Sequence, residues 1–180
     1  MAIRKYLTDR HCLFYFLVVL VILTRLLPHP MNFAPIGALG LFAGAYVQQQ
    51  RAWLIPLAAL FISDIFIGFY TPIVMLSVYV SFALSAVVGR YALFNKRSVL
   101  RIGGSAVASA TILFVLSNLA FWTTGLFYPL TLDGLIACYI NAIPFYGNTL
   151  AGDLFYSAIL FGVYEGVRYW LDKDIEPHSA

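Results

Sequence analysis

Four side chains able to do polar chemistry stand inside otherwise apolar runs: Arg25, Asp64, Asn118 and Asp153. A charge held at the centre of a bilayer costs about 2.5–3.5 kcal/mol on insertion scales, so such residues face a partner or a water-filled cavity. Two acids, a guanidinium and an amide together suit the capture of a small polar solute. The turn Pro28-His29-Pro30-Met31-Asn32-Phe33-Ala34-Pro35 adds His29 and Asn32. Trp122, one helical turn beyond Asn118 on the same face, and Tyr146 would supply apolar walls. The expected substrate-binding set is therefore Arg25, His29, Asn32, Asp64, Asn118, Trp122, Tyr146 and Asp153. A plainer reading stands beside it. Arg25 can pair with either acid and lock helices together, or snorkel to headgroups. His29 between two prolines reads first as an exposed loop residue, and Asn148 can be read as a helix cap. Catalysis has no comparable support: there is no G-x-S-x-G, H-E-x-x-H, Gly-rich phosphate loop or C-x-x-C. No catalytic residue, cofactor or metal is expected. Cys12 and Cys138 have neither metal-ligand spacing nor the look of a disulfide framework.

The elements that must position these residues follow from composition. Of 180 residues, 62% are hydrophobic and 11% charged, against about 25% charged in soluble domains. Lipid must cover that much apolar surface, which predicts a single all-α integral membrane domain. Apolar periodicity places spans at about 12–28, 34–48, 52–70, 72–93, 102–124 and 148–170. The run Cys12 to Leu23 could be read as a signal peptide, but Thr24-Arg25-Leu26-Leu27-Pro28 follows in place of a small-x-small cleavage site, which favours an uncleaved first span. Pro35 fits the first turn of the second span. The stretch 125–147, bracketed by Pro129 and Pro144 and carrying Asp133 and Asn141, reads as an outer loop with a short helix lying on the bundle.

Orientation follows from the basic residues. With a cytoplasmic N-terminus and six alternating spans, ten of the eleven Lys and Arg residues fall on the cytoplasmic side, as the positive-inside bias requires. Both termini are then cytoplasmic. Arg25 is the exception. If 34–48 failed to cross, every later basic cluster would move outside, so the bias argues that this short segment crosses. In that frame Arg25, His29, Asn32, Asp64, Asn118 and Asp153 share one level in the outer third of a bacterial inner membrane.

Gly37, Gly40 and Gly44 give the second span a smooth face, suited to internal packing or to docking another membrane subunit. The run Asn32-Phe33-Ala34-Pro35-Ile36-Gly37-Ala38, leading to Leu57-Ala58-Ala59-Leu60-Phe61-Ile62-Ser63-Asp64-Ile65-Phe66-Ile67-Gly68, resembles the early helices of S components of energy-coupling-factor transporters. More closely, Arg25 to Gly166 is similar to a group of uncharacterised small bacterial membrane proteins described as candidate transport proteins. The resemblance implies a six-transmembrane-helix, S-component-like bundle that captures a vitamin-like micronutrient from outside. It also implies a membrane coupling subunit with ATPases as partner, with Gly40 and Gly44 as docking candidates. Solute binding and transport is thus the expected function, with no nucleic-acid partner. The alternatives are a non-transport structural or assembly subunit of a larger membrane complex, whose polar pairs would enclose no cavity, and an intramembrane enzyme.

Overall fold

A computed structural model describes residues 10–28, 30–47 and 51–173; of these, nothing is said of the side chains of 10, 11 and 171–173. Every element among the described residues is a helix: α1 (Arg10–Leu26), α2 (Ile36–Tyr46), α3 (Leu54–Ile67), α4 (Pro72–Leu93), α5 (Val99–Thr123) and α6 (Leu132–Lys173). Three of them, α4, α5 and the stretch Leu132–Trp170 of α6, are long and apolar enough to cross a membrane. The bundle turns apolar side chains outward, among them Phe16, Phe61, Phe66, Leu76 and Ile140, as a helical membrane protein would.

The fold is built around α2. Its 11 residues are hydrophobic on all sides, and Ile36 to Ala45 are all buried. A helix apolar all round belongs inside, not at an interface. It packs most extensively on α4 and next on α6. The docking expectation for Gly37, Gly40 and Gly44 is corrected here. Their surface is consumed within the chain: a Cβ on Gly40 would overlap Ser85 Oγ, and one on Gly44 would overlap the backbone of α4 at Ala86. Gly89 returns the contact from α4 against the Leu41 backbone. Close backbone approach between α2 and α4 is what these glycines permit.

A short helix with buried ends leaves orphan N–H and C=O groups that its neighbours must satisfy. Pro35 at the N-terminus offers no side-chain cap. The Asp153 carboxylate, from α6, accepts from the Ala38 N–H in its place. At the other end, Arg97 Nη1 donates to Ala45 O at 3.1 Å and Arg90 Nη1 to Val47 O at 3.4 Å. An anion at the positive end and cations at the negative end both complement the helix dipole. Glu165 ties this basic end together, accepting from Tyr46 Oη at 2.6 Å and pairing with Arg97 Nε at 3.3 Å.

The other correction concerns 125–147, expected as an outer loop carrying a short helix ahead of a span at 148–170. The connection after α5 is only 124–131, and α6 runs unbroken for 42 residues through Pro144, roughly 63 Å of helix. Thr131 starts it: its Oγ1 accepts from Gly134 N at 3.2 Å, and Asp133 sits in the first turn. The early turns of α6 lie antiparallel on α5. Tyr139 Oη donates to Val115 O at 2.7 Å, and Tyr146 Oη meets Thr111 Oγ1 at 3.0 Å. That packing, not local hydrophobicity, makes the segment helical. Asn148 consequently falls in mid-helix, where it caps nothing; it donates to Met31 O at 3.0 Å and fastens the 30–35 turn to α6.

Candidate functional site

Two polar clusters with a cavity between them emerge from this arrangement. The first cluster joins α1, α3 and α4. Arg25, near the C-terminal end of α1, donates through Nη1 to Asp64 Oδ1 at 2.8 Å, to Leu60 O at 3.2 Å and to Ser63 Oγ. Tyr79 Oη donates to Asp64 Oδ2 at 2.8 Å. Both oxygens of a carboxylate only 1% exposed are thereby occupied. Ser63, one residue before Asp64, also bonds back to Ala59 O at 2.8 Å, so the end of α3 is polar on one narrow strip only.

The second cluster joins α2, α5 and α6. Asp153 is 2% exposed and accepts from the Ser109 hydroxyl as well as from Ala38 N–H. Gly37 is the residue that lets it in, because a Cβ there would overlap the carboxylate. The acid is thus seated on the α2 N-terminus, where the helix dipole favours a negative charge.

Between the clusters lies a cavity of about 480 Å³, within the range of small-molecule sites. Its polar lining comes from Arg25, from Asn32 in the turn, from Tyr70 in the 68–71 link, from Ser117 and Asn118 of α5, and from Tyr146, Thr149 and Asp153 of α6. Val78, Phe82, Phe114, Phe121 and Phe145 form apolar walls. The helix hydroxyls and Asn118 are already anchored to their own backbone: Ser117 Oγ to Leu113 O at 2.6 Å, Thr149 Oγ1 to Phe145 O at 3.0 Å, Asn118 Nδ2 to Phe114 O at 2.8 Å. Asn32 adopts φ 63°, a left-handed conformation that asparagine tolerates better than most residues. It aims the tight turn over the cavity mouth.

The structure brings together Arg25, Asn32, Asn118, Tyr146 and Asp153 as expected, and revises the remainder. Asp64 does not line the cavity; it lies behind Arg25 and holds it. Trp122 is no part of the wall either. Its Nε1 donates to Pro129 O at 3.0 Å and pins the 124–131 connection. His29 lies outside the described residues. Nor do the polar residues share one depth. Asn118 stands nine residues beyond Ser109, the neighbour of Asp153, so roughly 14 Å separates them along the bundle. The earlier start of α6 is the reason: Asp153 lies 21 residues into the helix, well below the level implied by a span starting at 148. Tyr70, Tyr79, Ser109 and Thr149 join the site from outside the expected set. Tyr79 stands between Ser77 and Ser81, and Ser109 between Ser105 and Thr111, so neither is set apart from its neighbours by sequence alone.

Among the described residues no group of His, Cys, Asp or Glu is placed to hold a metal ion. No curated protein and no solved structure matches the chain. The sequence model of DUF6580, a family of unknown function, matches residues 5–173, and the chain belongs to that family.

Proposed function

We propose that this is a six-span bacterial inner-membrane protein, both termini cytoplasmic, that captures a small solute from the outer side of the membrane. The observation that carries the reading is the cavity of about 480 Å³ lined by polar groups from α1, the 30–35 turn, α5 and α6. A subunit whose polar residues served only to lock helices would have no reason to leave room between them. The cavity lies at the end of the bundle away from Arg90, Arg97, Arg101 and Arg168, and the positive-inside bias makes that end external. Because α2 is only 11 residues long, it fills about 16 Å of a hydrocarbon core of about 30 Å. The space beyond its N-terminus is left to the cavity. Transport in the manner of an S component, with a separate membrane coupling subunit and ATPases, is the corresponding role; vitamin-like micronutrients are the corresponding solutes. The α2 glycines have no part in any docking.

A structural or assembly role is favoured by one observation, the full pairing of Asp64 by Arg25 and Tyr79. Native mass spectrometry decides between the two. Protein purified from its own host should retain a small molecule in stoichiometric amount. Thr149→Trp, which fills the cavity from α6, should lose it while remaining folded. Absence of any adduct from folded wild-type protein, or its persistence in the filled variant, refutes the solute reading.

A further inference from the structure

The guanidinium on the cavity wall is used on one side only. All of Arg25's hydrogen bonds to the protein leave from Nη1, to Asp64, Leu60 and Ser63. The Nε–H and both Nη2–H groups engage no protein atom among the described residues. These three donors form the flat edge of the fork that matches a carboxylate through two parallel hydrogen bonds. Arg25 lines the cavity and is 14% exposed, so this edge is left to water or to a ligand acceptor in the cavity. The two acids, by contrast, have no comparable capacity left for a cation. Asp64 is occupied by Arg25 and Tyr79, and Asp153 by Ala38 N–H, Ser109 O–H and the positive end of α2.

We infer that the cavity takes a small planar carboxylate, its two oxygens on the Nε–Nη2 edge of Arg25 and its ring against the aromatic wall of Phe114, Phe145 and Tyr146. This rests on the reading of the cavity as a solute site and names the class of solute. The aromatic wall is already built for ring contact: Phe114 and Tyr146 lie with centroids 5.0 Å apart, within the spacing of favourable aromatic pairs.

The test uses the full chain in lipid nanodiscs and three probes that share one ring: benzoate, benzamide and benzylammonium. Calorimetric titration should show benzoate binding at least tenfold more tightly than either of the others. Arg25→Lys keeps a cation beside Asp64 but has no fork; it should lose that tenfold preference for benzoate over benzamide. Preference of the wild-type protein for benzamide or benzylammonium overturns the carboxylate assignment and leaves the solute site standing. Retention of the benzoate preference by a folded Arg25→Lys protein overturns the seating on Arg25. Binding of none of the three to folded wild-type protein overturns the planar-carboxylate assignment, while the solute site itself is judged by the small molecule retained on purification. The wild-type comparison needs no variant, so it decides even where Arg25→Lys fails to fold.

Discussion

Replacing Gly37 by Ala should destabilise the protein, and the sign of the effect should reverse once Asp153 is gone. On helix propensity alone the change would be favourable, since Ala exceeds Gly by about 0.8–1.0 kcal/mol in a helix interior. At Gly37, however, the new Cβ would overlap the Asp153 carboxylate. Either the carboxylate withdraws or the helices separate. Overpacking of this kind costs about 1–3 kcal/mol, and withdrawal leaves Ala38 N–H buried without an acceptor, at about 1–3 kcal/mol. Gly37→Ala alone should therefore cost up to about 2 kcal/mol net of propensity. Asp153→Ala alone should cost a similar amount through the abandoned N–H. Ser109 limits that loss, because its hydroxyl can turn to the carbonyl of Ser105 one turn back in α5. In the double variant the overlap is absent and only the propensity gain remains, so Gly37→Ala should become neutral or stabilising by up to about 1 kcal/mol. The propensity gain cancels in the cycle, so the coupling between the sites should be about 1–3 kcal/mol, as for residues in direct contact. Reversible unfolding in mixed micelles, followed by circular dichroism, measures all four corners of the cycle. Additive effects, or a Gly37→Ala variant more stable than wild type, would show that Asp153 does not cap α2.

Removing the Asp64 side chain leaves the partly buried Arg25 without its counter-ion, so Asp64→Ala should cost up to about 3–5 kcal/mol; Tyr79→Phe removes one hydrogen bond to a charged acceptor and should cost about 1.5–3 kcal/mol in the same unfolding assay. If Tyr79→Phe proves the more damaging, the network is misassigned. Reporter fusions at residues 50 and 173 should read cytoplasmic and one at 128, in the 124–131 connection, external; an external report at 173 would refute the six-span topology. Cys12 stands at the start of α1, exposed, whereas Cys138 is buried beside Asn118 with its Sγ 3.6 Å from Asn118 O. A membrane-permeant maleimide should therefore label Cys12 first, and oxidation should yield no intramolecular bridge, since about 7 Å between Cα atoms is the limit for a disulfide. Trapping such a bridge in folded protein would contradict the arrangement of α1 and α6.

Much of the molecule is determined by composition and charge along the chain. The apolar fraction dictates helices with outward hydrophobic faces, and the start of α4 is readable because Pro72 suits a first helical turn. The isolated polar residues announce themselves too: Arg25, Asn118 and Asp153 stand out because an apolar run makes every charge expensive. What local pattern cannot convey is which surface a helix spends on its neighbours. The glycines of α2 look the same whether a partner or α4 fills them, and only the position of α2 at the centre of the bundle decides for α4. The early turns of α6 are too polar to be recognised by hydropathy; contacts such as Tyr139 to Val115 O, made by residues distant in sequence, draw them into a helix. Moving that boundary by sixteen residues shifts Asp153 from the mouth of a cavity to the N-terminus of α2. Asp64 and Asp153 are both acids in apolar segments. One holds an arginine and the other caps a helix, because the groups that bond each carboxylate come from other helices, and no reading of its own segment supplies them.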